Sequence, residues 1–272
     1  MPTRREVERT VRERCRLRDV GIAAGWVAAP RVRWVDATAR GGGRARSTVT
    51  RRRLLLAACR MIDERGYRGS GLSDILAVSG FSKGALYFHF DSKEELADAL
   101  VAEVFASWDD AIGRIVALGP DPLQTLLMCY DVYAARLTYD VSARAALRVV
   151  QDGVGRHYSD TWARRWEKDS ERLLVSAGSE GLLRPSIDPV WLSQHLLAVA
   201  QGHFVLSSGK PAGPSLWDRM NSTWIGLLPA VTCPQWQSDW RSSGWEDREE
   251  PRAEHFDFDV VAHGADAREV SR

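Results

Sequence analysis

Between about residues 48 and 230 the apolar side chains recur at intervals of three and four, the period of an α-helix. Leu54, Leu55, Ala58, Met61 and Ile62 form one stripe with Arg51, Arg52, Arg60 and Glu64 outside it, and Gly66 stands where a helix would stop. A second, short helix is predicted over about 72–79, carrying Ile75, Leu76 and Val78 and broken by Gly80. A third spans about 82–88, with Ser82 as its N-cap. Ser92, followed three residues later by Glu95, has the spacing of a capping box. It opens a fourth helix that runs to about residue 115 with Leu96, Leu100, Val104 and Phe105 on one face. Helical texture continues over about 122–139, 141–151, 158–178, 188–207 and 214–230, interrupted by GPDP, DGVG, SEGLLRP and SGKPAGP. No hairpin dipeptide stands between alternating runs, so the fold class is all-α.

The two ends read differently. Residues 1–47 lack a period and end in RGGGRARS, which reads as a disordered basic extension. Beyond Pro234 the chain turns acidic, polar and aperiodic, so 237–272 is expected to be a mobile tail. No internal repeat is present.

Charge sharpens this division. The net charge of +1 conceals twelve Arg against five acids in residues 1–47, and ten acids against five Arg in 237–272. Four cysteines (Cys15, Cys59, Cys129, Cys233) are far apart, without the spacing of a zinc or redox motif. No metal or cofactor is therefore expected. No apolar run approaches the roughly 18–20 residues of a membrane span. The apolar stretch 20–30 is short, holds two Gly and precedes more Arg, so a cytoplasmic chain with no membrane partner is expected. His157, His195 and His203 lack carboxylates at ligand spacing, and HExxH and GxSxG are absent; an enzyme is not expected.

The chemistry concentrates in GFSKGALYFHFDSKEEL, residues 80–96. Two short helices joined by Ser79-Gly80-Phe81-Ser82 make a helix-turn-helix, whose second helix enters the major groove of double-stranded DNA. Ser82 caps that helix, and its free N–H groups suit a phosphate. Gly84 and Ala85 keep it thin, with Ala85 placed for a thymine methyl. Lys83 reaches a base edge or phosphate, Tyr87 offers a hydroxyl, and Lys93 offers charge to the flanking backbone. His89 stands either at the DNA edge or at a helix end, and Arg51 either on DNA or on a solvated helix start. Leu86, Phe88 and Phe90 read as core.

This segment, with LLLAACRMIDERGYRGSGLSDI before it, resembles the tetracycline-repressor (TetR) family of one-component transcriptional regulators over about residues 50–100. The resemblance implies an all-α homodimer on a palindromic operator. A helix-turn-helix domain over 48–95 would be followed by a helical ligand-binding and dimerisation domain over 96–236. Helices at about 188–207 and 214–230 would form the dimer interface, with Leu192, Leu196, Val199 and Phe204 either at its seam or in the internal core.

ARAALRVVQDGVGRHYSDTWARRW and GSEGLLRPSIDPVWLSQHLLAVAQGHFVLSS are similar to the γ-butyrolactone autoregulator receptor branch. That branch consists of repressors of antibiotic-production and differentiation genes released by a small diffusible lactone. A pocket tryptophan of the branch matches Trp162, with Trp166 one turn away; Gln151, Thr161 and His157 are polar neighbours. The segment VVQDGVGRHYS is more polar than the branch usually carries, so a pseudo-receptor answering to an antibiotic, an intermediate or no ligand is the alternative.

Overall fold

A glycine decides where the first helix ends. Gly66 adopts φ 73°, ψ 166°, a backbone state closed to side chains with a Cβ, and turns the chain away from its helical path. The computed structural model describes residues 42–153, 156–207, 213–245 and 250. Among them are ten helices: α1 (Gly42–Gly69, interrupted at Gly66), α2 (Leu72–Ser79), α3 (Lys83–Tyr87), α4 (Lys93–Ala117), α5 (Pro122–Tyr139), α6 (Val141–Gln151), α7 (Arg156–Ser179), α8 (Pro189–Ser207), α9 (Leu216–Val231) and α10 (Pro234–Ser242). No strand occurs among the described residues; Leu183 and Thr232 make an isolated antiparallel bridge. The all-α class and the internal helix boundaries follow the sequence period closely.

Both ends depart from expectation. α1 begins at Gly42, inside the segment read as disordered, because extending an existing helix adds one hydrogen bond for each residue fixed. Residues 1–41 lie outside the described residues. The expected tail begins with a helix instead. In α10, Pro234 occupies a first-turn position where a missing N–H costs nothing. Trp236 and Trp240, four apart, are buried and stacked at 5.9 Å, and Trp245 is buried beyond them. Trp236 Nε1 donates to Asp121 Oδ2 at 3.1 Å. Three large apolar groups in a short stretch outweigh its polar composition.

The chain divides into two compact units, and the division falls inside α4, α5 and α7. One unit contains α1–α3, α4 as far as Ala111, and residues 136–162, so it extends well beyond residue 95. Its core is Leu54, Leu55, Ile62, Ile75, Leu86, Phe90, Leu96 and Leu100. α6 packs along α1. Arg144 grips Asp63 with Nε at 2.9 Å and Nη2 at 2.8 Å, and Arg148 adds an ion pair at 3.5 Å.

The other unit holds residues 112–135 and 163–255, as far as they are described. From Leu123 to Ala135 every residue of α5 except Met128 is buried, the mark of a central helix. Leu123, Leu126 and Leu127 meet Leu174 of α7, Leu192 and Leu196 of α8, and Trp224 and Leu228 of α9 around a small apolar cavity.

Leu192, Leu196 and Phe204 are buried inside this unit and form its core, whereas Val199 is half-buried. The exposed row on α8 is Trp191, His195, Ala198, Gly202 and Val205, spaced four, three, four and three. A helix with one face in the core presents the opposite row outward.

Candidate nucleic-acid interface and effector site

The helix-turn-helix is built by its caps. Gly80 ends α2 in the left-handed region (φ 70°, ψ 12°), its N–H donating to Leu76 O. Ser82 is extended, and its Oγ accepts from Ala85 N at 3.2 Å to start α3. Leu86 and Phe90, four apart, point into the core. Phe88 lies between them in sequence and therefore on the opposite side. It is 77% exposed, which overturns its reading as a core residue.

The exposed side of α3 thus carries Ser82, Lys83, Gly84, Tyr87 and Phe88, with Ala85 and His89 half-buried. Lys83 Nζ lies 5.7 Å from the Tyr87 ring centroid. A Cβ added at Gly84 would meet nothing nearer than Ser82 Oγ at 3.9 Å, so this glycine leaves an open surface rather than relieving a clash. The His89 ring sits edge-on to Phe88 at 5.0 Å. Burial, and then the nearby Arg51, hold its pKa below the ordinary value.

Two basic residues expected on DNA are engaged inside the fold. Arg51 forms an ion pair with Glu103 and lies over the Phe90 ring at 5.3 Å. Burial raises the Glu103 carboxyl, with Arg51 working the other way. Lys93 Nζ donates to Tyr67 O at 2.5 Å and sits 4.0 Å from the centroid of that ring.

The effector-site residues are scattered. Gln151 is exposed at the end of α6. Thr161 and Trp162 lie in α7, as does His157, but their side chains fall outside the described residues. Trp166 is buried, edge-on to Tyr130 at 5.4 Å and tilted against Tyr133 at 5.7 Å. Tyr130 is also edge-on to Trp224 at 5.2 Å. Burial raises the Tyr130 hydroxyl to about 12, with the neighbouring Trp166 and Ser170 working the other way. Tyr133 is raised further, also by burial. Both phenols are neutral at physiological pH and so remain hydrogen-bond donors.

Sequence reasoning missed Tyr130 and Tyr133. Their three-residue spacing on α5 placed them on one face, but nothing local said that Trp166 packs there. Among the described residues no cluster of His, Cys, Asp or Glu is arranged to hold a metal. No described helix is long and apolar enough to cross a membrane.

A capped, glycine-turned helix pair with an open polar face defines a helix-turn-helix DNA-binding regulator. Residues 54–100 match the bacterial regulatory proteins of the tetR family. The chain is 29% identical over 190 residues to the A-factor receptor protein of Streptomyces griseus, covering 70% of this chain and 66% of that protein. It is 41% identical over 143 residues to the HTH-type transcriptional repressor KstR2 of Mycobacterium tuberculosis, covering 50% of this chain and 70% of that one. A solved structure described as the molecular basis for control of antibiotic production by bacterial hormones is 30% identical. It superposes with a TM-score of 0.59 over 68% of this chain and 98% of its own. The chain belongs to the tetR family: it is a transcriptional regulator of the repressor type, not an enzyme.

Proposed function

We propose that this protein is a cytoplasmic homodimeric repressor that leaves its operator when a γ-butyrolactone-type small molecule binds, controlling genes of secondary metabolism or differentiation. The observation that carries this reading is the reach of the likeness to the A-factor receptor protein. Its 190 residues exceed the 54–100 segment several-fold, so it extends into the half of the chain where regulators of one fold differ in what they sense.

The geometry supports it. Trp166, Tyr130 and Tyr133 offer flat apolar faces together with hydroxyl donors, the combination that holds a small ring bearing a carbonyl. Trp162 and Thr161 share α7 with Trp166, and Gln151 ends the preceding helix.

On the DNA side, Ser82, Lys83, Gly84, Ala85, Tyr87 and His89 form the recognition surface, and Phe88 joins them. Two such surfaces about 34–36 Å apart read a palindrome one turn apart, which requires a second copy of the chain. The row Trp191, His195, Ala198, Gly202 and Val205, with Ile225 of α9, is the face that receives it.

The test is a gel shift on the DNA flanking the gene, with a panel of γ-butyrolactones and an extract of the producing culture. Release by a lactone supports the proposal. Release by the extract alone favours a pseudo-receptor that senses an antibiotic or intermediate. A complex that resists both leaves an operator-binding protein without a small-molecule effector.

A further inference from the structure

One residue, Tyr67, gathers backbone bonds from three parts of the helix-turn-helix unit. Tyr67 is 5% exposed and directly follows the Gly66 break. Its N–H donates at 2.9 Å, across 85 residues, to Oδ2 of Asp152, the residue that ends α6. Arg68 Nη2 reaches the Asp152 carbonyl at 3.4 Å. The Tyr67 carbonyl accepts from Lys93 Nζ in the first turn of α4, and from Ser70 N at 3.3 Å and Oγ at 2.9 Å before α2. The ring lies under the Lys93 ammonium.

We propose that Lys93 and Asp152 are positioning residues for operator recognition: they hold Tyr67 by its carbonyl and its N–H and so fix α3 relative to α1 and α6. The topology gives the reason. α3 is five residues long and ends six residues before Lys93, too short to hold its own orientation. On one side it is tied to α2 through the Gly80 turn and on the other to the start of α4, and both ties return to Tyr67. The Lys93 ammonium, half-buried against a ring and a carbonyl, is spent inside the protein. Burial lowers its pKa, with Glu94 and Asp152 opposing. Asp152 brings in α6, which is also ion-paired to α1 through Arg144, Arg148 and Asp63.

The alternative role for Lys93, a direct phosphate contact, has a distinct signature. Each phosphate neutralised contributes about 0.9 to the slope of log affinity against log salt. The probe is a duplex selected from random-sequence DNA on the wild-type protein, titrated at several salt concentrations below the melting onset of every variant. Lys93→Met is expected to weaken binding about tenfold at every salt with the slope unchanged, the loss expected for a charge-assisted hydrogen bond. Asp152→Ala is expected to behave alike. Asp152→Asn, whose amide oxygen still accepts from the Tyr67 N–H, is expected to restore affinity. The double variant Lys93→Met/Asp152→Ala is expected to lose less than the product of the two, because both hold one residue, Tyr67.

A slope that falls by about 0.9 per subunit in Lys93→Met would put Lys93 on a phosphate and overturn the proposal. So would wild-type affinity in Asp152→Ala, or losses that merely track the unfolded fraction of each variant.

Discussion

Arg144 and Asp63, 81 residues apart, form a two-pronged ion pair, with Nε and Nη2 at 2.9 and 2.8 Å from Asp63 Oδ2 and Nε at 3.1 Å from Oδ1. Arg144 Nη1 also donates to Thr138 O at 2.9 Å, so the guanidinium ties α1 to the start of α6 and the end of α5. Removing one member of a largely buried pair strands the other. Arg144→Ala is expected to destabilise the fold by about 2–4 kcal/mol. Asp63→Ala strands both Arg144 and Arg148 and is expected to cost as much. Denaturant melts of both singles and the double variant measure the coupling, and full additivity would show the pair to be inert.

Gly66 sits at φ 73°, ψ 166°, and a Cβ there would meet Asp152 Oδ2 at 3.4 Å. The contact is tolerable; the backbone state is the obstacle. Gly66→Ala is expected to lower stability by about 1–3 kcal/mol, read as a fall in melting temperature. A neutral result would mean that the chain turns there without a positive φ.

Phe88 combines a large ring with almost no burial, so Phe88→Ala is expected to leave the melting temperature unchanged. Operator affinity is expected to fall by about 1 kcal/mol, roughly fivefold. Loss of stability with intact DNA binding would return Phe88 to a packing role.

Trp166 is buried against two tyrosines, and truncation to Ala would cost about 3–5 kcal/mol and confuse folding with sensing. Trp166→Phe keeps an aromatic face. It is expected to bind operator normally and to need more γ-butyrolactone for release in the gel shift. An unchanged release midpoint would make Trp166 a core residue only.

His203 Nε2 lies 2.8 Å from Thr223 Oγ1 and joins α8 to α9. Burial, and then Arg219, hold its pKa below the ordinary 6.5. The unfolded chain therefore takes up the proton first. The contribution of this group is present above about pH 6.5 and is lost as pH falls below it. His89, lowered for the same kind of reason, adds a slope of the same sign. Urea midpoints of the wild type are expected to fall between roughly pH 7.5 and 5.5, and His203→Gln is expected to flatten part of that fall. An identical slope in the variant would exclude His203.

What the sequence by itself determined is whatever short range controls. Helix period, Ser82 as cap, the breaks at Gly66 and Gly80, and the helix-turn-helix all depend on residues within a turn or two of each other. Their spacing places Leu86 and Phe90 together on one face whatever else the chain does. The tertiary structure decided what depends on residues far apart. Whether Lys93 meets DNA or Tyr67 depends on where a helix 26 residues earlier ends. That Arg51 would meet Glu103, Trp166 would meet Tyr130, and Tyr67 would meet Asp152 has no local signal, since each pair is brought together only by packing. α10 shows the same limit: polar composition argued for a free tail, but the gain from burying Trp236, Trp240 and Trp245 exists only once there is a folded surface to bury them against.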